Sequence, residues 1–234
     1  MTMKLPELLD VCDRIDLTHK LRNGMPVWPT HPKFEQRAVS SFDNGDIACN
    51  HSLSLSEHSG THFDAPCHFI PGGRSIDEVP LDRFFGRMLT IDATDMAPDT
   101  EMEARRIADF EARHGLVKSG DAVIFSFGWA QYWEHPTLAE KFLRDWPGLS
   151  KSAAELLVSR GVRLVATDAM SIDRFGSTDF PAHRTLLAAE VLIGENFNNL
   201  NRVPPVCYLT TLPLPIQGGT GSPLRAIALV QRQG

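Results

Sequence analysis

The sequence predicts an α/β fold: a single domain over residues 1–234 with a mixed central β-sheet flanked by helices. Three observations predict it. Between residues 100 and 167 helical and strand patterns alternate, as they do where helices pack on a sheet. Elsewhere two strand-like segments are joined at Asn44-Gly45, a hairpin signal. The 234 residues, 42% hydrophobic and 22% charged, suit one domain with a real core, and no internal repeat, low-complexity tract or linker divides them.

Taken in order, residues 4–13 read as a short helix and 14–21 as a strand entering Gly24-Met25-Pro26-Val27-Trp28-Pro29. Two prolines hold this loop in order around a large flat side chain; Trp28 is either a core residue or a wall offered to a ligand. Residues 33–42 and 47–57 are strand-like, and Asn44-Gly45 between them is a hairpin signal. In the second strand Asn50, Ser52, Ser54 and Ser56 share the phase of His58, a polar row leading towards it. Pro71-Gly72-Gly73 is a turn and 88–94 a strand.

Thr100 with Glu103 reads as a capping box for a helix running to His114 and stopping at Gly115. Residues 121–129, rich in Val, Ile and Phe, form a buried strand. Ser152 with Glu155 caps a second helix that ends at Gly161, and 163–167 returns as a strand. His183 precedes the apolar run 186–193, and strands over 206–214 and 224–231 flank the Gly-rich segment 218–223.

Composition excludes several classes. Net charge −6 without a basic run argues against nucleic acid. No window of about 20 apolar residues is present, which argues against a membrane span. The N-terminal Met-Thr-Met-Lys-Leu-Pro-Glu has no apolar signal core, so the expected location is the cytoplasm. Cys12, Cys49, Cys67 and Cys207 are scattered and form neither a disulfide framework nor a zinc knuckle. A small molecule is the expected partner.

Chemistry concentrates in His58-Ser59-Gly60-Thr61-His62-Phe63-Asp64-Ala65-Pro66-Cys67-His68. Imidazole and carboxylate are the ligands of borderline divalent cations such as Zn²⁺ or Mn²⁺. The polar members share the even positions while Phe63, Ala65 and Cys67 fill odd ones, so one flank is polar and the other packs. On a straight strand His58 and Asp64 would lie about 20 Å apart, too far to share an ion that holds each ligand at about 2.1 Å. The chain therefore curls: a strand ends near His58 and a turn at Gly60 wraps the ion. His58, His62 and Asp64 are the candidate ligands, leaving positions open for a water whose pKa falls from about 15.7 towards 7. The competing reading is a histidine-rich loop without an ion.

The pattern His-x-Gly-Thr-His-x-Asp-x-Pro-x-His resembles the signature of the cyclase-like metal-dependent hydrolases, which include bacterial kynurenine formamidase (arylformamidase) and isatin hydrolase. Phe180-Pro181-Ala182-His183-Arg184, the stretch Gly194 to Leu200 and the loop before Ser222-Pro223 also look like family features, whereas 95–150 matches nothing diagnostic. The resemblance implies a swivelling β/β/α fold and hydrolysis of the amide C–N bond of a small N-aryl amide, of the N-formylkynurenine type, by a metal-bound hydroxide. It implies one or two divalent ions, Zn or Mn, with Asp64 shared and His183 and Glu195 completing the second, and twelve residues separate that pair. His68 takes the role of proton shuttle, its alternative being a third ligand; Trp28 becomes an aromatic wall for the substrate. A homodimer or higher homo-oligomer is implied as well.

Alternatives at this point are opening of a cyclic amide, as in isatin hydrolase, or a non-catalytic module binding a metal or a small molecule. Gln217, in the Gly-rich segment, is a weaker ligand candidate.

Overall fold

The fold is that of a computed structural model, which describes residues 5–232. In chain order the elements are α1 (Leu5–Asp10), β1 (Cys12–Asp16), β2 (Glu35–Ser40), β3 (Asn50–Ser54), β4 (His62–Asp64), β5 (Phe85–Asp92), β6 (Glu101–Met102), α2 (Ala104–His114), β7 (Ala122–Ser126), α3 (Ala139–Phe142), β8 (Gly148–Leu149), α4 (Lys151–Ser159), β9 (Leu164–Thr167), α5 (Pro181–Ala188), β10 (Leu192–Glu195), β11 (Val206–Pro213) and β12 (Gly221–Gln231). Lys4, where the first helix was expected to begin, and the tripeptide before it lie outside the described residues.

Eight strands form the central sheet in the order β1-β12-β11-β5-β7-β9-β10-β4, and β4 pairs with β12 as well. The sheet is mixed, as expected: β5, β7, β9 and β10 run parallel to one another, whereas every pairing of β1, β4, β11 and β12 is antiparallel. Because the short β4 bridges β10 and the start of β12, the sheet curves back on itself.

Alternation along the strands divides the interior in two. In β7, Ala122 and Ile124 join a cluster with Phe63, Leu164, Leu209, Ala226 and Ala228 on one side of the sheet. Val123 and Phe125 join the other cluster, which the sheet shares with helix residues Ile107, Phe110, Ala154, Leu157 and Leu186. Covered on both sides, every residue of β7 is buried, which is why that segment reads as an unbroken apolar run. In β4, Phe63 faces the first cluster, while His62 and Asp64 face the helix side, the two flanks expected from the motif.

Several local expectations are corrected. The strand before the motif stops at Ser54, four residues short of His58, and β3 is exposed at every position, so its polar row lies on a projecting hairpin instead of lining the site. The turn of that hairpin is a 3-10 turn over Phe42–Asn44 closed by Gly45 at φ 82, wider than a two-residue Asn-Gly connection. Thr100 does not cap α2: its hydroxyl donates to the Ala97 carbonyl, and Glu103 itself sits at the N-cap, its carboxylate accepting from Ser150 and Ser152. That attraction across the fold removes both halves of the local box. Likewise α4 is capped by Ser150, whose Oγ accepts from the Ala153 amide, with Ser152 one turn position too late.

Candidate metal centre

The site grows out of β4. Gly60 turns the chain at φ 65, and a Cβ there would lie 2.6 Å from Leu21 Cδ2, so both conformation and space call for glycine. The turn folds His58 back beside the strand, where its Nδ1 bonds Asp64 Oδ1 at 2.7 Å and its Nε2 bonds Thr220 Oγ1 at 3.0 Å. Pro66 opens a 3-10 turn that carries His68, whose ring centroid lies 4.1 Å from that of His58.

Strand pairing supplies the next member. The antiparallel register of β4 and β10 sets Glu195 opposite His62, so residues far apart in sequence become cross-strand neighbours. His183 arrives from the first turn of α5, which Pro181 opens.

Four buried side chains then form a ring of alternating nitrogen and oxygen. His62 Nε2 lies 3.4 Å from Asp64 Oδ1 and 3.5 Å from Glu195 Oε2. His183 Nε2 lies 3.3 Å from Asp64 Oδ2 and 3.3 Å from Glu195 Oε1. Ligand atoms each about 2.1 Å from one ion at tetrahedral angles stand about 3.4 Å apart. Direct hydrogen bonds in the same site are shorter, such as the 2.6 Å between His183 Nδ1 and Asp173 Oδ2. His62, Asp64 and Glu195 each bring one ligand atom to within 4.8 Å of the others, a grouping that fits a divalent metal, and His183 Nε2 stands against the second oxygens of both carboxylates. His58, Asp64 and His68 form a second group whose ligand atoms lie within 4.8 Å of one another, with Asp64 common to His62, Asp64 and Glu195. A shared carboxylate is compatible with one ion or two.

The other ring nitrogens are tied down. His62 Nδ1 donates to the Gly60 carbonyl at 2.8 Å, which leaves Nε2 with its lone pair towards the carboxylates. Asn196 Nδ2 donates to the same carbonyl at 2.9 Å. Asp173, buried, accepts from the Ala182 and His183 amides and from His183 Nδ1. Neither Asn196 nor Asp173 had been assigned a role from the sequence, although Asp173 lies ten residues before His183. Its neighbour Asp168 belongs elsewhere, accepting from the amides of Phe127 and Trp129.

Electrostatics matches a site built for positive charge. Burial opposes ionisation of Asp64, but His58, His183 and His62 outweigh it and hold the carboxyl well below the usual range. Burial also works against a charged His183, yet its hydrogen bond to Asp173 and the adjacent carboxylates of Asp64 and Glu195 keep its pKa well above that of an ordinary histidine. A divalent ion held by these residues would take the His183 imidazole in its neutral form. Burial pushes His68 the other way, down to about 4.

These groups floor a cavity of about 210 Å³ walled by Trp28, Phe69, Met170 and Phe180. Trp28 is half-buried: it lines the cavity and also packs against the larger hydrophobic cluster. His31, which sequence reasoning passed over, lines the same cavity, with its ring 5.8 Å from His58. It stands three residues from Trp28, and that proximity was the available signal. Phe180 holds φ 49 and ψ 57, a left-handed conformation rare for an aromatic residue and characteristic of functional sites. Gln217 is exposed and outside the cavity; the Gly-rich segment contributes Thr220 instead.

A family model, Cyclase, described as "Putative cyclase", matches residues 15–174. The chain belongs to the cyclase family. This cyclase-family chain is 33% identical to the kynurenine formamidase of Salinibacter ruber (strain DSM 13855 / M31) over 91% of its own length and 95% of the relative's. It is 31% identical to the isatin hydrolase of Roseibium aggregatum, covering 86% and 82% of the two chains. Among solved structures, isatin hydrolase A from Ralstonia solanacearum superposes with a TM-score of 0.90 at 28% identity, over 98% of each chain. The fold is thus that of the cyclase-family hydrolases, and the chain is a hydrolase. Among the described residues no helix is long and apolar enough to cross a membrane.

Proposed function

We propose that this protein hydrolyses the amide C–N bond of a small N-aryl amide, with His58, His62, Asp64, His183 and Glu195 holding one or two Zn²⁺ or Mn²⁺ ions. The observation that carries the reading is the alternating ring of His62, Asp64, His183 and Glu195 with separations of 3.3 to 3.5 Å. A divalent ion held there supplies Lewis acidity and water activation at neutral pH. The chain's own residues do the rest. Trp28, Phe69 and Phe180 clasp an aromatic ring. His68, beside His58 and facing the cavity, takes a proton from the attacking water and returns it to the departing aryl nitrogen as the C–N bond breaks. Oxygen from water ends on the carbonyl carbon, and the products are a carboxylic acid and an arylamine.

Among the described residues no Lys or Arg lines the cavity, and its volume is below the about 300–1,000 Å³ of pockets that take drug-sized ligands. A compact, uncharged cyclic amide, the substrate kind named for the isatin hydrolase relative, is therefore the second reading; there ring opening leaves acid and amine on one molecule. The reading extends to a homodimer or higher assembly, supported by the projecting β2–β3 hairpin.

The test is metal analysis of the purified protein together with turnover of formanilide, N-formylkynurenine and isatin. Asp64→Ala is expected to lose bound metal, and His68→Ala to keep it while kcat falls roughly 10²- to 10⁴-fold. A stoichiometrically loaded protein that opens none of these substrates would end the proposal.

A further inference from the structure

The search for unassigned sites leads to the far side of Trp28. A second cavity of about 220 Å³ is lined by Trp28, Ser171 and Phe180, which also line the metal cavity, and beyond them by Leu143, Trp146 and Phe175. The two cavities meet at these shared residues, the half-buried Trp28 and Phe180 and the buried Ser171. Trp28 lies 5.9 Å from Trp146, and Trp146 lies 5.0 Å from Phe175, so a run of aromatic surface passes from one space into the next. Trp146 spends its one polar atom on the Asp173 carbonyl at 2.9 Å, leaving only apolar faces towards the cavity.

We infer that this second cavity is a subsite for an uncharged, apolar substituent, an alkyl chain or a second aromatic ring, carried by the amide substrate. The inference rests on the proposed hydrolase reading for the position of the amide. Charge decides against an anionic substituent. The cation at the cavity wall, Arg174, is already held by Asp99 at 2.8 Å and by Glu101 at 3.3 Å, so the surroundings there are neutral to acidic. A carboxylate would compete with two fixed ones for a single guanidinium, and would leave water for aromatic walls. An apolar group loses nothing polar on entry and gains contact with Leu143, Trp146 and Phe175.

The experiment compares kcat/KM of the metal-loaded enzyme for formanilide, 4-butylformanilide and the 4-(3-carboxypropyl) analogue. Burial of four extra carbons is expected to raise kcat/KM roughly 10- to 100-fold for the butyl compound, with no such gain for the carboxylate. Leu143→Trp, which fills the cavity from the end away from the metal, is expected to cut the butyl-to-formanilide ratio at least ten-fold. Leu143→Ala serves if that variant does not fold, and moves the preference towards a hexyl chain. Calorimetry with 4-butylphenol and phenol reads the same subsite without turnover, the butyl compound binding at least ten-fold tighter to wild type and losing that margin in Leu143→Trp. Equal ratios for wild type and both variants, or a carboxylate preferred over butyl, would overturn the subsite. Absence of turnover with all three amides would refute the hydrolase reading alone, because the phenols still decide the subsite.

Discussion

Asp173 governs the His183 ring through a 2.6 Å contact to Nδ1, and a carboxylate in that position fixes the tautomer and orientation of a ligating imidazole. Asp173→Asn keeps the shape but can offer an N–H to Nδ1, which would place the ring proton on Nε2 and leave that nitrogen no lone pair for a metal. We expect metal affinity to fall about 10- to 100-fold, read by competition with a chromophoric chelator, while the circular dichroism of the variant stays native. Unchanged affinity would limit Asp173 to anchoring α5. The contrast with the motif residues shows what the sequence can disclose. His58, His62, Asp64 and His68 were legible because one bend in eleven contiguous residues suffices to gather them. Glu195 and His183 needed the family resemblance, since their approach to β4 depends on strand register and on a helix start. Asp173, Asn196 and His31 stayed hidden: each acts through a partner that only the folded chain brings near.

At the level of elements, most strands and helices could be read from apolar periodicity, whereas their ends could not. Thr100 and Glu103 have the right spacing for a cap, yet Glu103 is drawn to Ser150 and Ser152 across the fold; a local signal lost to a tertiary one. The β2–β3 hairpin is the element with most left to do. It was legible as a hairpin, but not as one whose strands are exposed on both faces, with Val39 64%, Phe42 66% and Ile47 fully accessible. A two-stranded hairpin is marginal in water unless something packs on it, and grouped exposed apolar residues mark contact surfaces. Phe42→Ser with Ile47→Ser is expected to shift the mass measured by light scattering from an assembly to a single chain. If the double variant and the wild type have the same mass, the hairpin is not the contact.

For the molecule as a whole, the pH dependence of stability carries the mark of a buried histidine that is not among the candidate ligands. His19 is buried, stacks on Trp133 at 4.2 Å, and burial lowers its pKa from 6.5 to about 4. The unfolded chain therefore binds a proton between those values that the folded chain refuses. The contribution is fully present above pH 6.5 and is lost as pH falls towards 4, up to about 3 kcal/mol in all. His19→Phe keeps the stack without the titration. Urea unfolding at pH 7.5 and at pH 4.5 should show the wild type losing more stability than the variant by about that amount, and equal losses would exclude His19 as the cause.

β4 has a double duty that follows from its place between β10 and β12. Three residues act as both clasp and jewel setting: the segment that shuts the curved sheet is the one bearing the histidine and aspartate. Any fluctuation that parts this seam takes apart the candidate site at the same instant, so an ion bound there would also hold the chain shut, and substitutions at this spot would alter chemistry and durability together.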